Sequence, residues 1–468
     1  MKAILFALAC LSFIATSAHA GLPSAVEQQL KLAAIPQSDV SVIVQEAGAK
    51  RPVVQLNPDA SRSPASIMKL VTTDAGLELL GPAYTWQTTA YARTAPVDGV
   101  LYGDLYLKGS GDPRLTFEQF WLLLRQLRAN GLREIKGRLL LDRSAFNLPA
   151  NNGDAPFDDQ PMRPYNVKPD ALLLNWKSIR LQLSVANDNA NQKLEIQAEP
   201  LPANLNIVSQ IAVIDGDCGE WHDRLRTDIS PRGDRFTLLI TGSYPKSCGT
   251  QTMSVGVLDH PQYVYGVFRQ LWEELGGRID GANAGSGYGD ARVPPDAMQL
   301  GNIESAPLAV IIRDINKFSN NVMARQLFLT LGDGTPAGSV NAVKNWLSSK
   351  GLNFPELVLE NGSGLSRTER ISAQSLASLL NNAWQSPLMP EFVASLPLTG
   401  VDGTMKKRLK DLPTAGHIKT GTLDGVKSMA GYVRDKKGKW WIVVFIINHP
   451  NASAGQAAQD ALLNWIAR

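Results

Sequence analysis

Segments predicted to form strands stand at both ends of this chain, and they flank a long region of different texture. Near the start, residues 40–45 and 53–56 are rich in valine and are predicted to be paired strands. Near the end, residues 416–422, 428–433 and 440–447 are predicted to be three strands in succession. We therefore expect one domain to be built from both ends of the chain, with the middle of the chain inserted into it.

The middle of the chain, from about residue 85 to residue 250, alternates short strand-like segments with turns rich in Gly, Pro, Asn and Asp. The strands predicted there cover residues 101–107, 137–141, 179–185, 194–198 and 211–214, and a helix is predicted at 116–130. The sequence thus predicts an α/β (α+β) fold. Residues 21–84 and 251–468 would form one domain, and residues 85–250 an inserted, mostly β domain or pair of domains.

Helical periodicity is clear around the inserted region. At residues 66–80, Ile67, Val71, Ala75 and Leu79 recur at helical spacing, and Gly81-Pro82 follows as a stop signal. The other predicted helices cover residues 24–33, 262–275, 306–313, 320–331, 339–350 and 454–468.

Composition excludes several classes of protein. The 468 residues are 44% hydrophobic and 19% charged, which is ordinary for a soluble globular chain. The formal net charge is +3, which is small for this length. It gives no support for a nucleic-acid-binding stripe or for a patch that binds acidic lipid.

The first twenty residues predict export. Lys2 precedes an apolar run over residues 3–16, and Ala18-His19-Ala20 has the small-x-small pattern of a cleavage site. The sequence therefore predicts a secretory signal peptide at residues 1–20, cleaved after Ala20, with a short membrane anchor or a buried helix as the alternative. No later stretch approaches ~18 unbroken apolar residues, so we expect no transmembrane span.

Cleavage of that leader would leave two cysteines, Cys218 and Cys248. In an oxidising compartment two such residues are expected to pair. Both lie in turn-rich sequence, with strand-like residues 236–240 between them, so a disulfide that ties a hairpin-like unit is the simplest interpretation. Two free thiols are the alternative. A zinc site is not expected, because paired histidines do not accompany the two cysteines.

Ser66-Ile67-Met68-Lys69 is the first candidate catalytic element. Positions i and i+3 of a helix are neighbours, with Cβ atoms about 5–6 Å apart, so the lysine amine can reach the serine hydroxyl. A serine needs a base beside it to be a nucleophile, and a lysine can be that base when burial or nearby positive charge lowers its pKa. A solvated helix turn is the alternative. Ser243 and Lys246 share the spacing, but Pro245 disfavours a continuous helix across them.

Two further elements follow along the chain. Ser319-Asn320-Asn321 places a hydroxyl and an amide two residues apart before a predicted helix, where they could relay a proton and hold a substrate carbonyl. The alternative is a helix N-cap, and Ser339-Val340-Asn341 matches the pattern equally well.

Lys419-Thr420-Gly421-Thr422 lies in the first of the three C-terminal strands. The lysine and the threonine hydroxyls can bind a substrate carboxylate, and glycine lets a substrate backbone pass closely. The amide of Thr422, with that of Ser66, could donate to an oxyanion. The alternative is an exposed strand that happens to contain glycine.

Taken in this order, the S-x-x-K, S-x-N and K-T-G elements resemble the active-serine fold of penicillin-binding proteins and β-lactamases. Additional stretches resemble class C low-molecular-mass penicillin-binding proteins, the D-alanyl-D-alanine carboxypeptidase/endopeptidase family of peptidoglycan (peptidase family S13). These stretches are residues 103–107, 109–113, 361–367, 396–397, 400–404 and 417–422. The resemblance covers nearly the whole mature chain. It implies a transpeptidase-like domain with an antiparallel sheet flanked by helices.

The resemblance also implies roles. Ser66 would attack the D-Ala–D-Ala carbonyl with Lys69 as general base. Ser319 would pass the proton and Asn321 would orient the substrate. Lys419 is the fifth implied catalytic residue, and with Thr420 it would hold the terminal carboxylate. The other implied substrate-binding residues are Gly421 and Thr422, the latter at the oxyanion site, and Asp142 and Arg367, at the free amino end of the stem peptide.

The implied partners are peptidoglycan stem peptides and cross-links, with β-lactams as covalent inhibitors, in the periplasm and without a cofactor or a metal. One position departs from the pattern: Arg325 stands in the helix after Ser319, where relatives often carry an acid.

Three alternatives remain at this point. A β-lactamase of one group would carry E-x-x-L-N between Ser319 and Lys419, and that string is absent from the sequence. A catalytically idle wall-binding protein would not need all three elements intact. A Ser-His-Asp hydrolase would need a histidine within a recognisable catalytic motif, and none is found. His417, beside the K-T-G element, is expected to be structural.

Overall fold

The computed structural model of the protein describes residues 21–148, 157–158, 160–186, 193–281 and 287–468. The predicted leader lies outside the described residues. The first segment of the fold contains α1 (Ser24–Leu32), β1 (Val40–Glu46), β2 (Val54–Leu56) and α2 (Lys69–Leu80).

The chain then enters the inserted region, which is mostly β as expected. Its strands are β3 (Gln87–Ala92), β4 (Val100–Leu101), β5 (Leu105–Gly109), β6 (Glu134–Ile135), β7 (Leu139–Asp142), β8 (Ile179–Ala186), β9 (Lys193–Glu199), β10 (Leu205–Ile214), β11 (Leu225–Arg232), β12 (Arg235–Pro245), β13 (Gln251–Val255), β14 (Arg278–Ile279), β15 (Tyr288–Asp290) and β16 (Met298–Glu304). Its helices are α3 (Phe117–Ala129) and α4 (His260–Glu274).

The last segment returns to helices and closes the main sheet. Its elements are α5 (Leu308–Lys317), α6 (Asn321–Thr330), α7 (Pro336–Ser349), α8 (Ala373–Gln385), α9 (Met389–Ser395), β17 (Gly416–Leu423), β18 (Val426–Arg434), β19 (Trp440–Asn448) and α10 (Gln456–Ile466). Helices α8 and α9 were not predicted from the sequence.

The main sheet is antiparallel and has the order β17-β18-β19-β1-β2. Strand β1 pairs with β19, so the two ends of the chain meet in one sheet, as predicted. Successive residues of these strands face opposite sides. Ile43 packs with the buried residues of α2 and α5, and its neighbours Val42 and Val44 pack with those of α1 and α10. Because both faces are covered, the strands are almost continuously apolar.

Helix α2 lies at the centre of this domain. Every residue from Lys69 to Leu77 is buried, which is possible because the sheet lies on one side and helices α5 to α9 surround the other. The sequence predicts a helix from residue 66, but residues Ala65–Met68 form a 3₁₀ turn and the α-helix begins at Lys69. The 3₁₀ turn makes residues i and i+3 eclipse one another, which brings the Ser66 and Lys69 side chains together.

The inserted region extends beyond residue 250. Strand β13 pairs with β8, β14 with β6, β15 with β7, and β16 with β3. Helix α4 shares its buried core with α3 and with the strands of this region. The domain boundary at residue 250 stays a prediction, and these pairings favour a boundary close to residue 305.

The predicted disulfide between Cys218 and Cys248 is confirmed. The segment that it closes contains a hairpin, because β11 and β12 are consecutive and antiparallel, and β10 pairs in parallel with β12 on its other side. The bond therefore joins the turns that follow two parallel strands. Ser243 lies in β12, so it cannot share a helical face with Lys246.

One buried side chain joins the inserted region to the main domain. Gln326 of α6 accepts a hydrogen bond from the backbone N–H of Asp170 (2.9 Å) and donates to the carbonyls of Asp170 (2.8 Å) and Gly111 (3.2 Å). Val322, on the same helix, packs against Val167 and Leu173. The segment around residues 160–174 is thereby held against the helix that begins at Asn321.

Candidate active site

The 3₁₀ turn at the start of α2 brings the first pair of predicted residues together. Nζ of Lys69 lies 3.1 Å from Oγ of Ser66. It also lies 2.6 Å from Oδ1 of Asn321 and 2.5 Å from the carbonyl oxygen of Ser363. The amine therefore contacts the serine hydroxyl and two neutral oxygen acceptors. An amine in these surroundings can accept the proton of Ser66 when it is neutral.

Lys69 is completely buried, and the charges around it favour the neutral amine. Burial lowers the pKa of Lys69 well below the ordinary lysine value, and the positive charges of Lys419 and Arg325 lower it further. The negative charge of Glu369 acts in the opposite direction. Desolvation and like charge are the two causes that prepare a lysine to act as a base.

Ser319 lies in the sharp connection between α5 and α6, with a backbone φ of +56°. Such a conformation is uncommon for a residue that is not glycine, and it is found at sites where a side chain must be aimed. Oγ of Ser319 accepts a hydrogen bond from Nζ of Lys419 at 2.8 Å. Asn320 is the N-cap of α6 and accepts from the backbone N–H of Met323, while Asn321 is free to reach Lys69.

Lys419 is the second buried lysine of the site. Besides Ser319, its Nζ donates to the carbonyl of Thr420 at 2.7 Å. Burial lowers the pKa of Lys419 to about 7. A bound carboxylate would favour the charged form of this amine, because opposite charge nearby raises the pKa of a lysine.

Strand β17 lies at the edge of the main sheet, against the turn that carries Ser66. A Cβ atom at Gly421 would lie 2.9 Å from the backbone nitrogen of Ser66 and 2.9 Å from the carbonyl of Pro64, so a larger residue cannot fit there. Thr422 is exposed beside it. Oγ1 of Thr420 donates to Oγ1 of Thr404 at 2.7 Å. The predicted strand and its glycine thus lie directly beside the serine.

Glu369 shapes the loop that supplies the Ser363 carbonyl. Its buried carboxylate accepts hydrogen bonds from four backbone N–H groups, those of Glu360, Asn361, Gly362 and Gly364. The sequence did not single out Glu369, Ser363 or Thr404 as site residues. A carbonyl carries no residue-type signal, and a single glutamate has no motif. The loop itself was noted only as a stretch of resemblance.

Asp142 and Arg367 lie on different elements, the end of β7 and the Glu369 loop. Asp142 ends β7, and its carboxylate accepts from Ser144 and, at 2.9 Å, from the backbone N–H of Val293. Burial raises the pKa of Asp142, but these hydrogen bonds outweigh burial and the pKa is lowered. Arg367 is exposed on the Glu369 loop, and its guanidinium carbon lies 4.5 Å from the ring centre of Phe157.

His417 lies on β17, and its side chain contacts α9 and β19. Its Nδ1 is 3.0 Å from the carbonyl oxygen of Val393, and its ring packs beside Trp440. Burial lowers the pKa of His417. These contacts fit a structural role.

Comparison with known proteins gives the family. A model of the D-Ala-D-Ala carboxypeptidase 3 (S13) family matches residues 22–468. The chain belongs to this family. Membership in S13 supports the prediction of a serine D-Ala-D-Ala carboxypeptidase over a β-lactamase or a catalytically idle protein of the same fold. The sequence is 32% identical over 421 residues to a D-alanyl-D-alanine carboxypeptidase of Actinomadura sp., covering 85% of this chain and 76% of the relative.

Solved structures of S13-like architecture confirm the fold. Penicillin binding protein 4 of Haemophilus influenzae matches with a TM-score of 0.76 at 22% identity, covering 94% of this chain and 99% of that one. A second structure of that protein holds a β-lactam and matches with a TM-score of 0.73. A predatory endopeptidase of Bdellovibrio bacteriovorus, acylated by penicillin G, matches with a TM-score of 0.52 at 16% identity, covering 92% and 93% of the two chains.

Among the described residues, no helix is both long enough and apolar enough to cross a membrane.

Proposed function

We propose that this S13 carboxypeptidase cleaves the terminal D-Ala–D-Ala bond of peptidoglycan stem peptides through an acyl-enzyme at Ser66. The observation that carries the proposal is the position of Lys69. Its buried amine lies 3.1 Å from Oγ of Ser66, in surroundings that lower the lysine pKa.

The first chemical step is acylation. Nζ of Lys69 takes the proton of Ser66 as Oγ attacks the carbonyl carbon of the penultimate D-Ala. Negative charge develops on the carbonyl oxygen, where the backbone N–H groups of Ser66 and Thr422 would stabilise it. The C–N bond then breaks, and the proton that Lys69 took passes to the leaving amine by way of Oγ of Ser319, which is hydrogen-bonded to Lys419 at 2.8 Å, so that Lys69 is neutral again. The product is a Ser66 ester and free D-alanine.

Substrate orientation would come from β17 and its neighbours. The terminal carboxylate would bind at Lys419 and the hydroxyl of Thr420, since buried cations and hydroxyls favour carboxylates. The acyl-side backbone would lie along β17, which Gly421 allows to approach the turn that carries Ser66. The amide of Asn321 would hold the substrate while it orients Lys69. Asp142 and Arg367 would contact the free end of the stem peptide.

Deacylation completes the cycle. Water attacks the ester carbonyl while the neutral Lys69 amine takes its proton, and Lys69 then returns this proton to Oγ of Ser66 as the ester bond breaks. If the leaving amine belongs to diaminopimelate instead of D-alanine, the same steps cleave a D-Ala–diaminopimelate cross-link, so DD-endopeptidase action needs no further catalytic group. We propose that both reactions take place in the periplasm after removal of residues 1–20, and that β-lactams acylate Ser66.

Purified muropeptides test this proposal. The wild-type protein should release D-alanine from uncross-linked pentapeptides and split cross-linked dimers, as read by mass spectrometry. Ser66→Ala should abolish both products, while Ser243→Ala, at the unrelated serine with the same spacing to a lysine, should leave both unchanged. Product formation by folded Ser66→Ala protein would overturn the assignment, and so would wild-type protein that cleaves neither muropeptide.

A further inference from the structure

Arg325 is a half-buried cation that the mechanism above does not use. It lies on α6, one helical turn after Asn321, so the two side chains project from the same side of the helix. Asn321 contacts Nζ of Lys69 at 2.6 Å. The positive charge of Arg325 therefore lies one helical turn from Asn321, the residue that orients the proposed base Lys69.

The guanidinium of Arg325 has weak local support. Nη1 reaches the carbonyl of Val167 at 3.4 Å, which is a long hydrogen bond, and Nε is buried without a hydrogen-bond partner among the described residues. The two carboxylates whose charge acts on it are engaged elsewhere. Glu369 accepts four backbone N–H groups, and Glu360 accepts the hydroxyls of Ser366 and Thr368.

A half-buried cation whose Nε is desolvated and poorly bonded is costly to the fold, so its position calls for an electrostatic explanation. Three charged groups act on Lys69: Lys419 from β17, Arg325 from α6 and Glu369 from the loop at residues 360–370. Lys419 and Arg325 both oppose a second positive charge. Burial lowers the pKa of both groups, to about 7 for Lys419, but a guanidinium starts from a much higher pKa than an amine and so keeps its charge near neutral pH.

We propose that Arg325 acts through Lys69 as a positioning residue, supplying a permanent positive charge beside Asn321 that keeps the Lys69 amine in its proton-accepting form. The inference rests on the roles proposed above for Ser66 and Lys69. As Lys419 loses its proton near neutral pH, Arg325 remains the cation that opposes protonation of Lys69. An acidic residue at this position would act in the opposite direction and favour the ammonium.

The test is the rate of Ser66 acylation by labelled penicillin as a function of pH. Acylation needs neutral Lys69, so the rate falls as pH is lowered and this amine gains a proton. We call this falling part of the pH–rate profile the acid limb. Removing a nearby positive charge raises the lysine pKa and moves that acid limb to higher pH. For Arg325→Gln and Arg325→Met we expect a shift of about one pH unit, which is an about tenfold slower reaction below the limb. Arg325→Glu should shift it further, and Arg325→Lys should stay near the wild type.

The matched control is Arg313→Met, which removes a positive charge from the exposed side of α5. It should leave the limb in place. Full labelling at the high-pH plateau and an unchanged melting temperature show that a variant is folded. An unshifted limb in both neutral variants, with only a uniform loss of rate, would overturn the inference and leave Arg325 as an anchor for Val167. Wild-type protein that is not labelled at Ser66 would instead overturn the proposed function.

Discussion

The main sheet and the outer sheets of the inserted region differ in how they are covered. Strand β19 has six consecutive buried residues, from Ile442 to Ile447, because helices lie on both faces of its sheet. Strands β9 and β11 alternate between exposed and less exposed residues. The difference teaches where the chemistry can be placed. The proposed catalytic residues all belong to the covered domain, where a side chain can be desolvated: 66, 69, 319, 321 and 419.

The largest expected difference between the two regions is catalytic. Lys69→Met should lower the rate of Ser66 acylation by about 10²–10⁴-fold, the usual contribution of a general base. Lys246 has the same spacing from a serine, but it lies in the inserted region beside Asp215, so Lys246→Met should leave the rate unchanged. Stopped-flow labelling with a fluorescent penicillin measures both. Equal losses of acylation rate in Lys69→Met and Lys246→Met would contradict the assignment of Lys69 as the base.

A smaller effect separates two buried carboxyl groups by the sign of their pH dependence. Burial raises the pKa of Asp74 in α2 from 3.8 to about 8, and its Oδ2 has no hydrogen-bond partner among the described residues. The folded protein then holds a proton that the unfolded chain loses between about pH 4 and pH 8, so stability falls as pH rises through this window. Asp74→Asn should therefore gain up to about 4 kcal/mol over the wild type at pH 7, and little at pH 4.

Asp142 in the inserted region is the counterpart. Its pKa is lowered, because hydrogen bonds from Ser144 and Val293 outweigh burial. Its contribution to stability is present above its unfolded pKa and is lost as pH falls through the folded pKa. Asp142→Asn should lose stability at pH 7 and not in acid. Urea unfolding at several pH values gives both curves, and curves of the same sign would contradict this account.

The smallest effect concerns the disulfide. Replacing Cys218 and Cys248 together by serine should lower the free energy of unfolding of the inserted region by about 2–4 kcal/mol. The bond lies beside the half-exposed sheet of β10, β12 and β11, which shares no strand with the main sheet of the covered domain. Penicillin acylation at 25 °C should therefore keep its wild-type rate. A parallel loss of acylation and stability would show that the two regions unfold as one unit.

The covered domain was the easier of the two to predict from the sequence. Its strands were predicted because burial of both faces leaves long apolar runs, and Ser66, Lys69 and Gly421 were singled out because the three motifs to which they and Ser319 belong occur in order along the chain. The inserted region was harder. Strands β14 and β15 have two and three residues, too few to show a pattern, and the parallel pairing of β10 with β12 depends on contacts that no local sequence encodes.

The site was predicted incompletely for a related reason. The start of α2 was placed in an α-helix, although the contact between Ser66 and Lys69 depends on a 3₁₀ turn. The Ser363 carbonyl and the four N–H groups around Glu369 are backbone groups, which any residue supplies. Arg325 was noticed only as a departure from the family pattern. Its relation to Lys69 depends on the packing of α6 against α2, which is a tertiary contact that the local sequence does not encode.

The central claim is that a neutral, buried Lys69 activates Ser66, and the pH dependence of acylation tests it most directly. Wild-type protein is reacted with penicillin across a range of pH, and the adduct is mapped by mass spectrometry. We predict an adduct on Ser66 and an acid limb well below the ordinary lysine pKa of 10.5. An adduct on another residue, or a rate that keeps rising through pH 10, would contradict the account.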